Sequence, residues 1–148
     1  MSEGRTGSGA QASEMLIETE RLRLRPLTEN DSETMTRLFA HPEVVRYSGG
    51  YSPSLEEVRE RIRAHIESYY GNREYGLLAA ELIATGAVVG RVGLLDTELD
   101  PTAEAELHYH LMPDAWGSGL ETEAAKALLS GARGELGLAR VVAAILPE

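Results

Sequence analysis

Four titratable side chains alternate along one short stretch: Glu104, Glu106, His108 and His110, with Ala105, Leu107, Tyr109 and Leu111 between or beside them. An extended chain sends successive side chains to opposite faces, so the acids and imidazoles share one side and the apolar residues the other. Carboxylate and imidazole together on one strand face suit proton abstraction. Glu106 is the first candidate and His108 the second, since an ordinary imidazole pKa near 6.5 permits either charge state. The plain alternative is a solvated strand face. Metal binding is a further reading, because same-face neighbours about 6.6–7 Å apart let two histidines converge on one ion. The sequence offers no third ligand from elsewhere, so no metal is assigned.

Five residues beyond that stretch the chain reads Trp116-Gly117-Ser118-Gly119-Leu120-Glu121-Thr122. Gly117 and Gly119 allow a sharp turn with no Cβ in the way. The first amides of a following helix are then free together, which makes a site for phosphate. Backbone rather than charged side chains would hold a phosphate-bearing cofactor here, with Arg91, Lys126 and Arg140 as sources of local positive charge. A glycine turn before a helix, without chemistry, is the alternative. Trp116 is assigned to packing the loop.

These groups need a sheet and helices to position them. Ile17 to Arg25 reads as a strand with Leu22 and Leu24 alternating against Arg21, Arg23 and Arg25, a row expected to face solvent. Thr28 with Asp31, and Ser54 with Glu57, are helix-start signals. The first helix ends at His41-Pro42. The second carries Leu55, Val58, Ile62, Ile66 and Tyr69 at helical spacing. Strands are predicted over Tyr75 to Leu82 and Val88 to Leu95, joined at Thr85-Gly86, and over Glu104 to Leu111. A helix follows from Leu120 to Leu136, stopped by Gly137, and a last strand runs from Arg140 to Leu146. The order is β-α-α-β-β-β-α-β, an α/β chain built on one mixed sheet. The last strand is expected to leave an exposed apolar edge, a liability for aggregation or homodimer formation.

Composition narrows the classes. A net charge of −10 over 148 residues argues against nucleic acid as a partner. An acidic surface suits a cationic acceptor such as an amine. No run approaches the roughly 18 apolar residues of a membrane span. Zero Cys excludes a disulfide scaffold and a thiol nucleophile, and fits a cytoplasmic protein. Residues 1–14, rich in Gly, Ser and Thr, read as a disordered leader to one domain over 15–148.

Three stretches resemble the GCN5-related N-acetyltransferase (GNAT) superfamily, in the branch of the ribosomal-protein N-terminal acetyltransferases. They are Thr19 to Asp31, Phe39 to Val45, and Glu106 to Ala124. The resemblance implies acetyl-CoA as co-substrate and acetyl transfer to a primary amine, on a protein N-terminus or a small molecule. It implies Glu106 as general base, with His108 standing where the family commonly has Gly. Leu111 and Met112 would pair with the pantetheine, and Trp116, Gly117, Ser118, Gly119, Leu120, Glu121 and Thr122 would form the pyrophosphate loop. Two departures stand out. Glu121 replaces a small residue and would compete with a pyrophosphate. The family also continues past the strand that ends this sequence, so the domain reads as C-terminally truncated. A non-catalytic acyl-CoA-binding module of the same fold is the competing function, and a domain-swapped structural fragment the third.

Overall fold

A computed structural model of the chain describes residues 16–46, 49–70, 75–96, 105–134 and 141–143. Strands β1 (Ile17–Glu18), β2 (Leu22–Pro26), β3 (Leu77–Leu82), β4 (Val88–Leu95), β5 (Ala105–Leu111) and β6 (Val141–Ala143) form one sheet in sequence order. Neighbours from β1 to β5 pair antiparallel, and β5 pairs β6 parallel. Helices α1 (Ser32–Leu38), α2 (Pro42–Val45) and α3 (Leu55–His65) lie between β2 and β3, and α4 (Leu120–Gly134) joins β5 to β6.

The expected mixed α/β order is present with two refinements. The first strand is split, because the Leu22 amide turns back to the Thr19 hydroxyl at 3.0 Å. Past α1 a short extra helix forms, since Pro42 needs no amide partner in a first turn and His41 before it is extended. Both helix-start signals are realised as reciprocal capping boxes, Thr28 with Asp31 and Ser54 with Glu57. The end of α3 widens into a π turn over Ile66–Tyr70. The predicted leader, Glu104, Arg140 and the far end of the last strand lie outside the described residues.

Strand alternation gives the sheet two buried faces. On one, Leu22, Leu24, Leu78, Val92, Leu94, Leu107 and Leu111 pack beneath Leu120, Ala124 and Leu128 of α4. On the other, Leu77 and Ala79 pack with Met35 and Leu38 of α1 and Val58 and Ile62 of α3. The apolar side of β5 is thus committed to α4, and its polar side turns toward α1 and α3.

The arginine row of β2 is not simply solvated. Arg25 forks onto both oxygens of Asp31 at 2.9 and 3.0 Å. Burial alone would raise the Asp31 carboxyl; Arg25 and the Thr28 amide instead hold it below its ordinary value. Glu123, in the first turn of α4, accepts from the Thr19 hydroxyl at 2.5 Å, the Arg21 amide at 2.9 Å and the Arg21 Nε at 2.7 Å. It therefore pins α4 to the start of β2. The Arg21 side chain is exposed, so the ion pair itself contributes little and the amide and hydroxyl bonds dominate. Glu123→Ala is expected to destabilise the fold by about 1–2 kcal/mol, read from urea unfolding. Glu123→Gln, which keeps an acceptor, should recover part of that loss.

Candidate active site

The glycine-rich segment is held from both sides. The Met112 amide donates to the Val89 carbonyl at 2.7 Å, extending the β4–β5 ladder past Leu111. The Trp116 indole N–H donates to the Leu111 carbonyl at 2.9 Å, and the Ser118 hydroxyl to the Ala115 carbonyl at 2.8 Å. Gly117 and Gly119 take φ of 81° and 83°, which side-chain-bearing residues rarely adopt. Trp116 thus ties the turn to the end of β5, and the glycines bend the chain into α4.

Among the described residues, no oxygen of the protein accepts from the amides of Gly117 through Thr122. The next amide, Glu123, donates to the Gly119 carbonyl at 3.0 Å. A run of unsatisfied N–H groups at the N-terminus of a 15-residue helix is an anion-binding arrangement. The arginine at this turn is Arg21, whose Nη1 donates to the Ser118 carbonyl at 3.0 Å. Arg91, expected as a source of positive charge for the cofactor, lies instead in a cavity on the far side of the sheet. Lys126 is exposed on α4, and Arg140 is outside the described residues.

Register decides which backbone groups of β5 are free. Because Met112 bonds to Val89, ladder alternation gives the backbone groups of His110 and His108 to β4. Those of Tyr109 and Leu111 turn to the opposite edge, where described pairing with β6 ends at Leu107. Of the two residues expected to meet pantetheine, Leu111 lies on that edge with its amide open and its carbonyl taken by the Trp116 indole. Met112 has its amide on Val89 and accepts from the Ala115 amide at 2.8 Å, so both its backbone groups are engaged within the chain. Parity along the strand, readable only once the pairing is known, separates the two.

Glu106 is 8% exposed, and its Oε1 lies 3.3 Å from the Nε2 of His108. His108, not Glu106, lines a cavity of about 470 Å³ between the sheet and the α1–α3 layer. The imidazole therefore stands between the carboxylate and the cavity. His110, on the same face, meets the ring of Phe39 edge-on at 5.5 Å, and its Nδ1 is buried without a partner. Burial, then the Arg91 charge, push His110 down to about 3. His65 of α3 accepts from the Leu77 amide at 2.9 Å and stacks on Tyr69 at 4.6 Å. Burial, then Arg91, push it down to about 4. Both rings are neutral at neutral pH. Among the described residues no three acidic or histidine groups are placed to hold a metal.

Phe39, His65 and Arg91 also line this cavity, and the sequence marks none of them as an acceptor-side residue. The one available signal was Arg91, a charged residue inside the otherwise apolar run of β4. Tyr51, in the loop before α3, also lines the cavity. The Tyr70 hydroxyl is spent inside the core, accepting from the Leu27 amide and donating to the Leu77 carbonyl.

Comparison with known proteins agrees with this architecture. The family model described as acetyltransferase (GNAT) domain matches residues 21–148. The uncharacterized N-acetyltransferase YoaA of Bacillus subtilis strain 168 is 28% identical over 136 residues, covering 90% of this chain and 75% of YoaA. An acetyltransferase structure from Agrobacterium tumefaciens superposes with a TM-score of 0.74 at 29% identity, covering 90% of this chain and 75% of that one. Ribosomal-protein acetyltransferases are among the structural neighbours. One is a RimL L7/L12 α-N-protein acetyltransferase solved with coenzyme A, sharing the fold with a TM-score of 0.63 at 20% identity over 82% of this chain and 70% of that one. With its sheet order, its glycine turn into α4 and a family match over most of its length, the chain belongs to the GNAT acetyltransferase family.

Proposed function

We propose that the protein transfers the acetyl group of acetyl-CoA to a primary amine by direct attack, on a protein N-terminus or a small molecule. The observation that carries this reading is the run of free amides from Gly117 to Thr122, beside the open edge of β5 and across the sheet from the Glu106–His108 pair. The amides of Gly117, Ser118, Gly119, Leu120, Glu121 and Thr122 would grip the pyrophosphate, with Trp116 and Arg21 holding the turn in shape. The backbone groups of Tyr109 and the Leu111 amide, on that edge, would meet the pantetheine amides.

Glu106, acting through His108 or a water, takes a proton from the incoming ammonium. The amine nitrogen then bonds to the thioester carbonyl carbon, the carbon–sulfur bond breaks, and the thiolate leaves to be protonated as CoA. No covalent enzyme intermediate is needed, consistent with a chain that has no Cys. Calorimetry with acetyl-CoA, run beside CoA release over a panel of amines, tests the reading. Saturable binding with turnover of at least one amine supports it, and absence of acetyl-CoA binding rejects it.

Glu121 sharpens that test. Its half-buried carboxylate has no partner among the described residues and sits in the first turn of α4, where a pyrophosphate would repel it. Glu121→Gln is expected to tighten acetyl-CoA about two- to five-fold by calorimetry. Unchanged or weaker binding would mean that the carboxylate does not face the ligand.

A further inference from the structure

Four arginines of the described residues pair with carboxylates, and Arg91, inside the cavity, does not. Arg21 pairs with Glu123, Arg23 with Glu18, Arg25 with Asp31 and Arg63 with Glu29, all within 3.1 Å. Arg91 lines the cavity and pairs with no carboxylate among the described residues. Its guanidinium lies over the ring of Phe39 at 4.7 Å, and its Nε is buried without an acceptor. Strand register fixes it there, between Ala79 of β3 and His110 of β5.

The groups around it add no negative charge. Arg61 of α3, which lines the same cavity, is itself a cation. His65 and His110 face the guanidinium as neutral rings. Burial, then Arg61, lower Arg91 to about 10, which still leaves it fully charged at neutral pH. A buried charge with open donors and no counter-ion is costly unless a ligand completes it. Guanidinium geometry favours a carboxylate, which accepts two parallel N–H bonds. Much of the remaining wall is apolar, with Leu27, Met35, Val45, Val58 and Ile62.

We infer that Arg91 selects the acceptor, and that this acceptor is an amine carrying a carboxylate on an apolar body, in the manner of a hydrophobic amino acid. The inference rests on the acetyl-transfer reading above. His108, on the same face of β5, lies two residues along the strand from His110, the partner of Arg91, an offset of about 7 Å. An amine and a carboxylate a few bonds apart span that offset once a hydrogen bond is counted at each end. The carboxylate docks at Arg91, the amine nitrogen is delivered beside the Glu106–His108 pair, and the products are the N-acetyl acid and CoA. A cavity of about 470 Å³ is ample for such a molecule.

The test compares L-leucine with L-leucinamide as acceptors, with CoA release as the readout. Leucine should exceed leucinamide by at least ten-fold in kcat/KM, mostly through KM, and Arg91→Met should bring that ratio close to one. Arg91→Lys should retain an intermediate preference. Equal use of the two acceptors by the unaltered protein, or a ratio unmoved by Arg91→Met, overturns the inference while leaving acetyl transfer standing. Peptides beginning Asp-Leu and Asn-Leu identify the source. Preference for the Asp peptide over free leucine assigns the carboxylate to a side chain, and the reverse assigns it to the α-carboxylate. Independently of turnover, calorimetry should show N-acetyl-leucine binding at least ten-fold more tightly than N-acetyl-leucinamide, with the difference gone in Arg91→Met. Equal binding of the two products overturns the carboxylate assignment by itself, whereas failure of acetyl-CoA to bind rejects the underlying reading. Thermal unfolding checks that Arg91→Met is folded, and removal of a buried uncompensated charge should leave its Tm unchanged or raised.

Discussion

Glu106→Gln should lower kcat by about 10²–10⁴-fold and leave acetyl-CoA affinity within about two-fold. The substitution keeps the shape and volume of a side chain that is 8% exposed, so the packing of β5 is preserved. What disappears is the negative charge 3.3 Å from His108. At that distance the ammonium proton can pass to the carboxylate directly or by way of the ring. Kinetics of Glu106→Gln and His108→Ala, alone and combined, separate the roles. If the two groups act as one relay, the double variant is little worse than the poorer single variant. If Glu106 works through water alone, His108→Ala mainly reshapes the cavity and raises KM. A Glu106→Gln enzyme with undiminished kcat removes the carboxylate from the mechanism.

Most of the scaffold was legible because its signals are local. Two capping boxes, the 3–4 spacing of α3 and the period-2 alternation of β5 are each written within a dozen residues, and each formed. The glycine turn is local too, and its free amides follow from chain geometry alone. Contacts distant in sequence were not legible. Nothing near Arg21 announces that Glu123, 102 residues away, will accept from its backbone amide, so the arginine row read as a solvated face. The engagement of Met112 follows from the β4–β5 register, which the two strands specify only together. Arg91 is visible in the sequence as a cation and is expected near the cofactor, whereas it lines the cavity on the other side of the sheet. Deciding its side required knowing that Val92 and Leu94 pack toward α4, which sends Arg91, one residue before Val92, to the opposite face and the cavity.

The cavity histidines give the fold an unusual acid response. In the unfolded chain His65 and His110 take up protons near pH 6.5, whereas in the fold burial and Arg91 hold them down to about 4 and about 3. Between these limits the unfolded state binds more protons, so stability falls as pH falls, by about 1.4 kcal/mol per pH unit for each ring. From pH 7 to pH 5 the pair can withdraw up to about 4 kcal/mol, a large share of the margin of a domain this size. Asp31, held low, adds nothing in that window, because its contribution is lost only below its ordinary value of 3.8. General electrostatics predicts the opposite trend. The chain carries −10 at neutral pH and has a pI near 4.9, so acidification toward pH 5 relieves self-repulsion. Guanidinium unfolding at pH 7 and pH 5 distinguishes the two, and a clear fall in stability is the expected result. His110→Phe should reduce that fall by removing one of the two rings that resist protonation. A stability that stays flat or rises toward pH 5 would mean these imidazoles reach solvent in the fold, and the cavity would then lose the neutral lining that leaves Arg91 without a counter-charge.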